Sequence, residues 1–84
     1  NSRIMWYVYI IECADNTLYT GITTNINRRL SEHNSGKKCK YTRNRGPFKL
    51  KALFVFETRS LASKEEYRIK QLSRLEKIKL YEGI

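Results

Sequence analysis

The chain has 84 residues, 40% of them hydrophobic, and sets 17 Lys and Arg against 8 Asp and Glu for a net charge of +9. That length makes one small domain with a modest core, and no apolar run approaches the roughly 18 residues of a membrane span. The charge calls for an anionic partner, and nucleic acid fits better than a membrane surface, because no helix is both basic and strongly apolar on its other face.

Asn1 to Ile4 read as an expression remnant ahead of a native Met5, leaving 5–84 as the single domain. Residues 5–13 (MWYVYIIEC) are β-branched and aromatic and predict a strand, and residues 17–22 (TLYTGI) predict a second. The short connection holds Asp15 and Asn16, so the pair is a hairpin. A two-residue loop at Asp15 and Asn16 would set Tyr9 opposite Ile22 and Tyr19 opposite Glu12, with the two phenols on opposite sides of the sheet. A three-residue loop at Ala14, Asp15 and Asn16 sets Tyr9 opposite Gly21 and Tyr19 opposite Ile11, with both phenols on one side. The second register is expected, because Asn16 tolerates the left-handed conformation such a loop needs at its end. It also gives Gly21 a role, leaving space beside the Tyr9 ring.

Thr24 or Asn25 caps a helix running to about Ser35. Ile26, Arg29, Leu30 and His33 fall on one stripe of it, so Arg29 and His33 share the side that docks on the sheet. An arginine there must snorkel out or meet an anion, because an unpaired buried charge is costly. Residues 36–47 (GKKCKYTRNRGP) form a basic loop. A third strand over 48–57 alternates, with Phe48, Leu50, Ala52, Phe54 and Phe56 on one face and Lys49 and Lys51 on the other. A helix from about Ser60 to Leu72 follows, and Ser73-Arg74-Leu75-Glu76 reads as a capping box opening a last short helix. The expected class is α+β: a small three-stranded, mostly antiparallel sheet flanked by helices in the order ββαβαα.

Cys13 and Cys39 match neither a zinc spacing nor a redox motif, so Cys13 is expected as a buried thiol and the setting as reducing and cytoplasmic. The chemistry lies elsewhere, in an ordered set: Tyr7-Val8-Tyr9, Tyr19-Thr20-Gly21, Arg29, the lone His33, and the glutamates Glu65 and Glu66. A phenol, a guanidinium, an imidazole and a carboxylate are the inventory needed to cut a phosphodiester with one metal ion. Periodicity does not choose between the glutamates: Glu65 shares a stripe with Leu61, Ile69 and Leu72, and Glu66 with Ala62, Ile69 and Ser73.

This set resembles the GIY-YIG nuclease superfamily. Tyr7-Val8-Tyr9 stands for its first motif, with Tyr7 in the glycine position, and Tyr19-Thr20-Gly21 for its second. The resemblance runs on through Arg29, His33 and Glu66, and is greatest to the small stand-alone bacterial branch of unassigned role, related to the junction-cutting structure-specific endonucleases. It implies a metal-dependent endonuclease acting on DNA, with structure rather than sequence preference, or else a nucleic-acid-binding module whose cleavage is weak or lost. Branched or single-stranded DNA and a targeting protein partner are the implied partners.

The resemblance also implies roles. Tyr9 is the general base or its close partner; a phenol with a reference pKa of about 10 needs a cation or a proton acceptor beside it to serve at neutral pH. Tyr19 orients water or phosphate, Arg29 clamps the scissile phosphate, and His33 accepts or relays the proton. The family's glutamate lies four residues before a lysine that follows an apolar residue, which selects Glu66 ahead of Ile69-Lys70 as the metal ligand. A single carboxylate implies a hard, largely hydrated ion, Mg²⁺ or Mn²⁺. In the basic loop, Lys37, Lys38, Lys40, Arg43 and Arg45 suit a phosphate track, with Tyr41 placed to stack on an exposed base.

Overall fold

The computed structural model of the chain describes residues 4–35 and 47–82. Three strands, β1 (Trp6–Glu12), β2 (Leu18–Thr23) and β3 (Lys49–Phe56), and three helices, α1 (Ile26–Ser35), α2 (Arg59–Lys70) and α3 (Arg74–Glu82), follow one another in the order ββαβαα. The sheet is antiparallel throughout, in the order β2-β1-β3. The most apolar strand is therefore central. Val8, Tyr9, Ile10 and Ile11 are all fully buried, which requires cover on both faces and explains why β1 reads as a continuous apolar run rather than an alternating one.

The hairpin takes the three-residue register. Asn16 adopts φ 69°, its N–H donates to the Cys13 carbonyl at 2.9 Å, and the Cys13 N–H donates to the Thr17 carbonyl at 2.8 Å. Asp15 Oδ1 stiffens the turn by accepting from the Thr17 N–H at 3.1 Å and the Thr17 hydroxyl at 2.6 Å. Tyr9 consequently pairs with Gly21, and Ile11 with Tyr19.

The two faces carry separate cores. On one, Val8 and Ile10 pack with Ala52 and with Ala62 and Ile69 of α2, bordered by Leu18, Ile22, Phe54 and Phe56. On the other, Tyr9, Ile11, Cys13 and Phe48 pack with Tyr19 and with Ile26 and Leu30 of α1. Thr58 caps α2 by accepting from the Leu61 N–H at 3.1 Å. The box at α3 is reciprocal, with the Ser73 N–H donating to Glu76 Oε1 at 2.8 Å and the Glu76 N–H donating to the Ser73 hydroxyl at 3.2 Å. Among the described residues, no helix is long and apolar enough to cross a membrane.

One expectation for β3 fails. The alternation placed Phe48, Leu50, Ala52, Phe54 and Phe56 on a single face, but the register shifts between Ile10 and Ile11: Ile10 pairs with Ala52 and Ile11 with Leu50. The extra residue is Lys51, and the bulge reverses the facing of everything before it. Ala52, Phe54 and Phe56 stay on the α2 face, whereas Phe48 joins Tyr9 and Ile11 on the α1 face. Lys51 itself lies toward α3, 4.0 Å from Glu12 and over the Tyr81 ring at 5.7 Å.

Candidate functional site

The α1 face of the sheet gathers four of the residues singled out by sequence. Tyr9, in the central strand, lies across Gly21: a Cβ built on that glycine would stand 2.5 Å from the Tyr9 hydroxyl oxygen and 2.7 Å from Cζ. Any side chain larger than hydrogen at position 21 would displace the phenol. The Tyr19 ring lies 6.3 Å from the Tyr9 ring on the same side.

α1 supplies the other two. Asn25 caps it, accepting from the Arg28 N–H at 3.0 Å, and Thr23 holds the cap by accepting from the Asn25 N–H at 3.1 Å. Ile26 and Leu30 anchor the helix to the sheet, and the same stripe delivers Arg29 and His33. His33 is fully buried, with Nε2 at 2.9 Å from the Tyr9 hydroxyl. Arg29 Nε donates to that same hydroxyl at 3.3 Å. The guanidinium only donates, so the Tyr9 oxygen accepts from Arg29; with the imidazole proton on Nδ1, the Tyr9 hydroxyl donates to His33 Nε2. The His33 ring is also edged by Tyr19 at 5.3 Å and by Phe48 at 5.7 Å.

Burial, reinforced by the Arg29 charge and opposed by Glu32, lowers the His33 pKa from 6.5 to about 4. The ring is neutral at physiological pH. The folded value lies below the unfolded one, so between pH 6.5 and 4 the unfolded chain binds the extra proton. Stability is therefore full above the unfolded pKa and falls with pH across that window, by an amount of order 2 kcal/mol. Unfolding in denaturant at pH 7 and pH 4.5, with NMR titration of the ring, checks this. A ring midpoint near 6.5 would contradict the closed site.

Sequence reading missed three participants. Glu32 accepts from Arg29 Nη1 at 2.9 Å and lies 3.9 Å from Arg28 Nε, steering the Arg29 guanidinium; its position three after Arg29 was the available signal. Phe48 walls His33 only because of the bulge, which no sequence pattern marks. Asn34 Oδ1 accepts from the Phe48 N–H at 3.1 Å and ties the end of α1 to the start of β3.

Glu66 stands apart from this network. It belongs to α2, which packs on the opposite sheet face, on the same stripe as the buried Ala62 and Ile69. Its carboxylate pairs with Lys70 Nζ at 3.2 Å. Glu65 is engaged differently, by Arg68 along the helix surface, and the hydrogen bonds from that guanidinium hold its carboxyl below the usual range. The two faces meet at the outer edge of β2, where Tyr19 and Lys70 line one hollow together with Leu18, Thr20 and Lys77. Among the described residues, no three His, Cys, Asp or Glu side chains form a metal-binding group. Lys37, Lys38, Lys40, Tyr41, Arg43 and Arg45 lie outside the described residues.

Comparison with known proteins matches the GIY-YIG catalytic domain to residues 5–79. The chain is similar to the UPF0213 protein OB0043 of Oceanobacillus iheyensis, with 55% identity over 90% of this chain and 88% of the relative. It is also similar to two proteins solved by NMR. The UPF0213 protein BH0048 of Bacillus halodurans is 50% identical with a TM-score of 0.59, over 90% of this chain and 81% of that one. The protein EF2693 of E. faecalis is 41% identical with a TM-score of 0.65, over 93% and 83%. A domain match from Met5 to Lys79, together with relatives at about half identity along most of their length, places the chain in the GIY-YIG family of nuclease-type domains, in its small stand-alone UPF0213 branch.

Proposed function

We propose that the protein is an endonuclease that hydrolyses DNA phosphodiester bonds with the help of a divalent cation, selecting DNA by structure, branched or single-stranded, rather than by sequence. The observation that carries this reading is the hydrogen-bond chain from Arg29 through the Tyr9 hydroxyl to His33. Structural cores do not need a guanidinium, a phenol and a neutral imidazole in series; a reaction that moves a proton beside an anion does.

Burial divides the labour. Tyr9 and His33 are fully buried, whereas Arg29 keeps 28% of its side chain exposed and Tyr19 is half-buried. Arg29 and Tyr19 therefore meet the phosphate, and Tyr9 holds the guanidinium from behind; the proton leaving the attacking water is taken up at the Tyr9 oxygen as the Tyr9 proton passes to His33 Nε2. The arrangement responds to substrate: a phosphate on Arg29 cancels one of the two influences that depress the His33 pKa, so proton affinity rises where the reaction begins. Glu66 would hold Mg²⁺ or Mn²⁺ through one carboxylate once its pairing with Lys70 opens. The donor set fits only an ion that keeps most of its water, and such an ion supplies Lewis-acid polarisation of a phosphoryl oxygen. The basic residues Lys37, Lys38, Lys40, Arg43 and Arg45, with Tyr41, extend the contact along the backbone.

The test is nicking of supercoiled plasmid and of single-stranded DNA in Mg²⁺, in Mn²⁺ and in chelator. Cutting is expected only with metal, and Arg29→Ala is expected to lower it by about 10²–10³-fold. The location of Glu66 on the α2 face favours a second reading, a DNA-binding module without cleavage. Binding with no nicking in either metal would establish that one instead.

A further inference from the structure

The outer edge of β2 carries a hollow of about 430 Å³ lined by Leu18, Tyr19, Thr20, Lys70 and Lys77. We infer that this hollow is a second phosphate subsite, taking the DNA backbone phosphate next to the one held by Arg29 and Tyr19. The inference rests on the proposed DNA substrate but not on cleavage itself.

Three features point to an anion. First, α2 and α3 contribute one lysine each to the same hollow, Lys70 from the last position of α2 and Lys77 from α3. An ammonium has three donors, so Lys70 can keep its contact with Glu66 and still donate to a phosphate oxygen. Second, the Thr20 hydroxyl in its wall is buried, with Thr20 only 2% exposed, and lacks a hydrogen-bond partner among the described residues. Buried hydroxyls are nearly always satisfied, and the Thr20 side chain lies on the α2 side of the sheet, opposite Ile10 and between Leu18 and Ile22. Third, Tyr19 is shared. Its ring lies against His33 and Tyr9 on one face, and the same residue lines the hollow. A strand whose scissile phosphate lies at Arg29 and Tyr19 would thus pass over the edge of β2 with its next phosphate among the two lysines. The Lys70–Glu66 pair sets this subsite beside the residue that would hold the cation.

The experiment is fluorescence anisotropy of a labelled single-stranded oligodeoxynucleotide at several salt concentrations, in chelator so that nothing is cut. Lys77→Gln is expected to weaken binding about 3- to 10-fold and to make the log affinity against log salt slope shallower by about 0.7. Lys64→Gln, which removes the same charge from an exposed position of α2 outside the hollow, is the control and should change affinity less than 2-fold. Thr20→Val should weaken binding by about 2- to 5-fold with no loss of thermal stability, because the partnerless hydroxyl contributes nothing to the free fold. Equal effects of Lys77→Gln and Lys64→Gln would reduce the lysines to a general field and overturn the inference, as would wild-type binding by both Lys77→Gln and Thr20→Val. A protein that binds but never nicks DNA would end the nuclease reading alone, since every measurement here is made without cutting.

Discussion

Glu66→Ala is expected to lower metal-dependent nicking by about 10³-fold or more, the scale of several kcal/mol of transition-state stabilisation from a bound ion, while DNA affinity in chelator stays equal or rises. The rise follows from charge: removing the carboxylate frees the Lys70 ammonium now 3.2 Å from it. Glu65→Ala is the companion variant. Its carboxylate is occupied by Arg68 on the helix surface, so nicking should stay within a few-fold of wild type. Plasmid nicking and anisotropy, run side by side, separate the outcomes. If Glu65→Ala is inactive and Glu66→Ala is not, the glutamate assignment is reversed; if both retain activity, the ion is not held by α2.

Gly21→Ala is expected to damage both stability and catalysis. The new methyl would stand 2.5 Å from the Tyr9 oxygen, and the ring cannot swing clear because Tyr9 is fully buried under α1. Overpacking of this kind costs about 1–3 kcal/mol, read as a lower midpoint in denaturant unfolding. The displaced hydroxyl loses its alignment with His33 and Arg29, and a misplacement on the order of 1 Å reduces rate by about 10²-fold. Adding Tyr9→Phe to Gly21→Ala should recover part of the stability, since the closest clashing atom is gone, but none of the activity. Such coupling is diagnostic of direct contact. Simple additivity of the two changes would mean that the phenol does not lie over the glycine.

Much of the site was legible in the chain because it depends on local geometry. The hairpin register follows from one residue, Asn16, whose tolerance of positive φ selects the loop that puts Tyr9 beside Gly21. The inward direction of Arg29 and His33 follows from their spacing to Ile26 and Leu30, which is a property of any α-helix. The capping box at Ser73 is equally local.

Local pattern thus fixes the set of elements, their order, and which residues of β1, β2 and α1 share a face. Tertiary structure decided the rest. The bulge at Lys51 carries Phe48 to the wall of His33, and a bulge arises from the pairing of strands distant in the chain, which no period in β3 alone records. Helical periodicity likewise gave Glu65 and Glu66 equal claim to the inward direction. Packing of Ala62 and Ile69 on the sheet chose the rotation of α2 and left Glu65 to Arg68. The same packing set α2 on the face opposite Tyr9, so among the described residues the proposed metal ligand and the proton relay approach each other around the edge of β2. That division is long-range, because a helix stripe specifies that it will be buried but not which side of a three-stranded sheet will bury it.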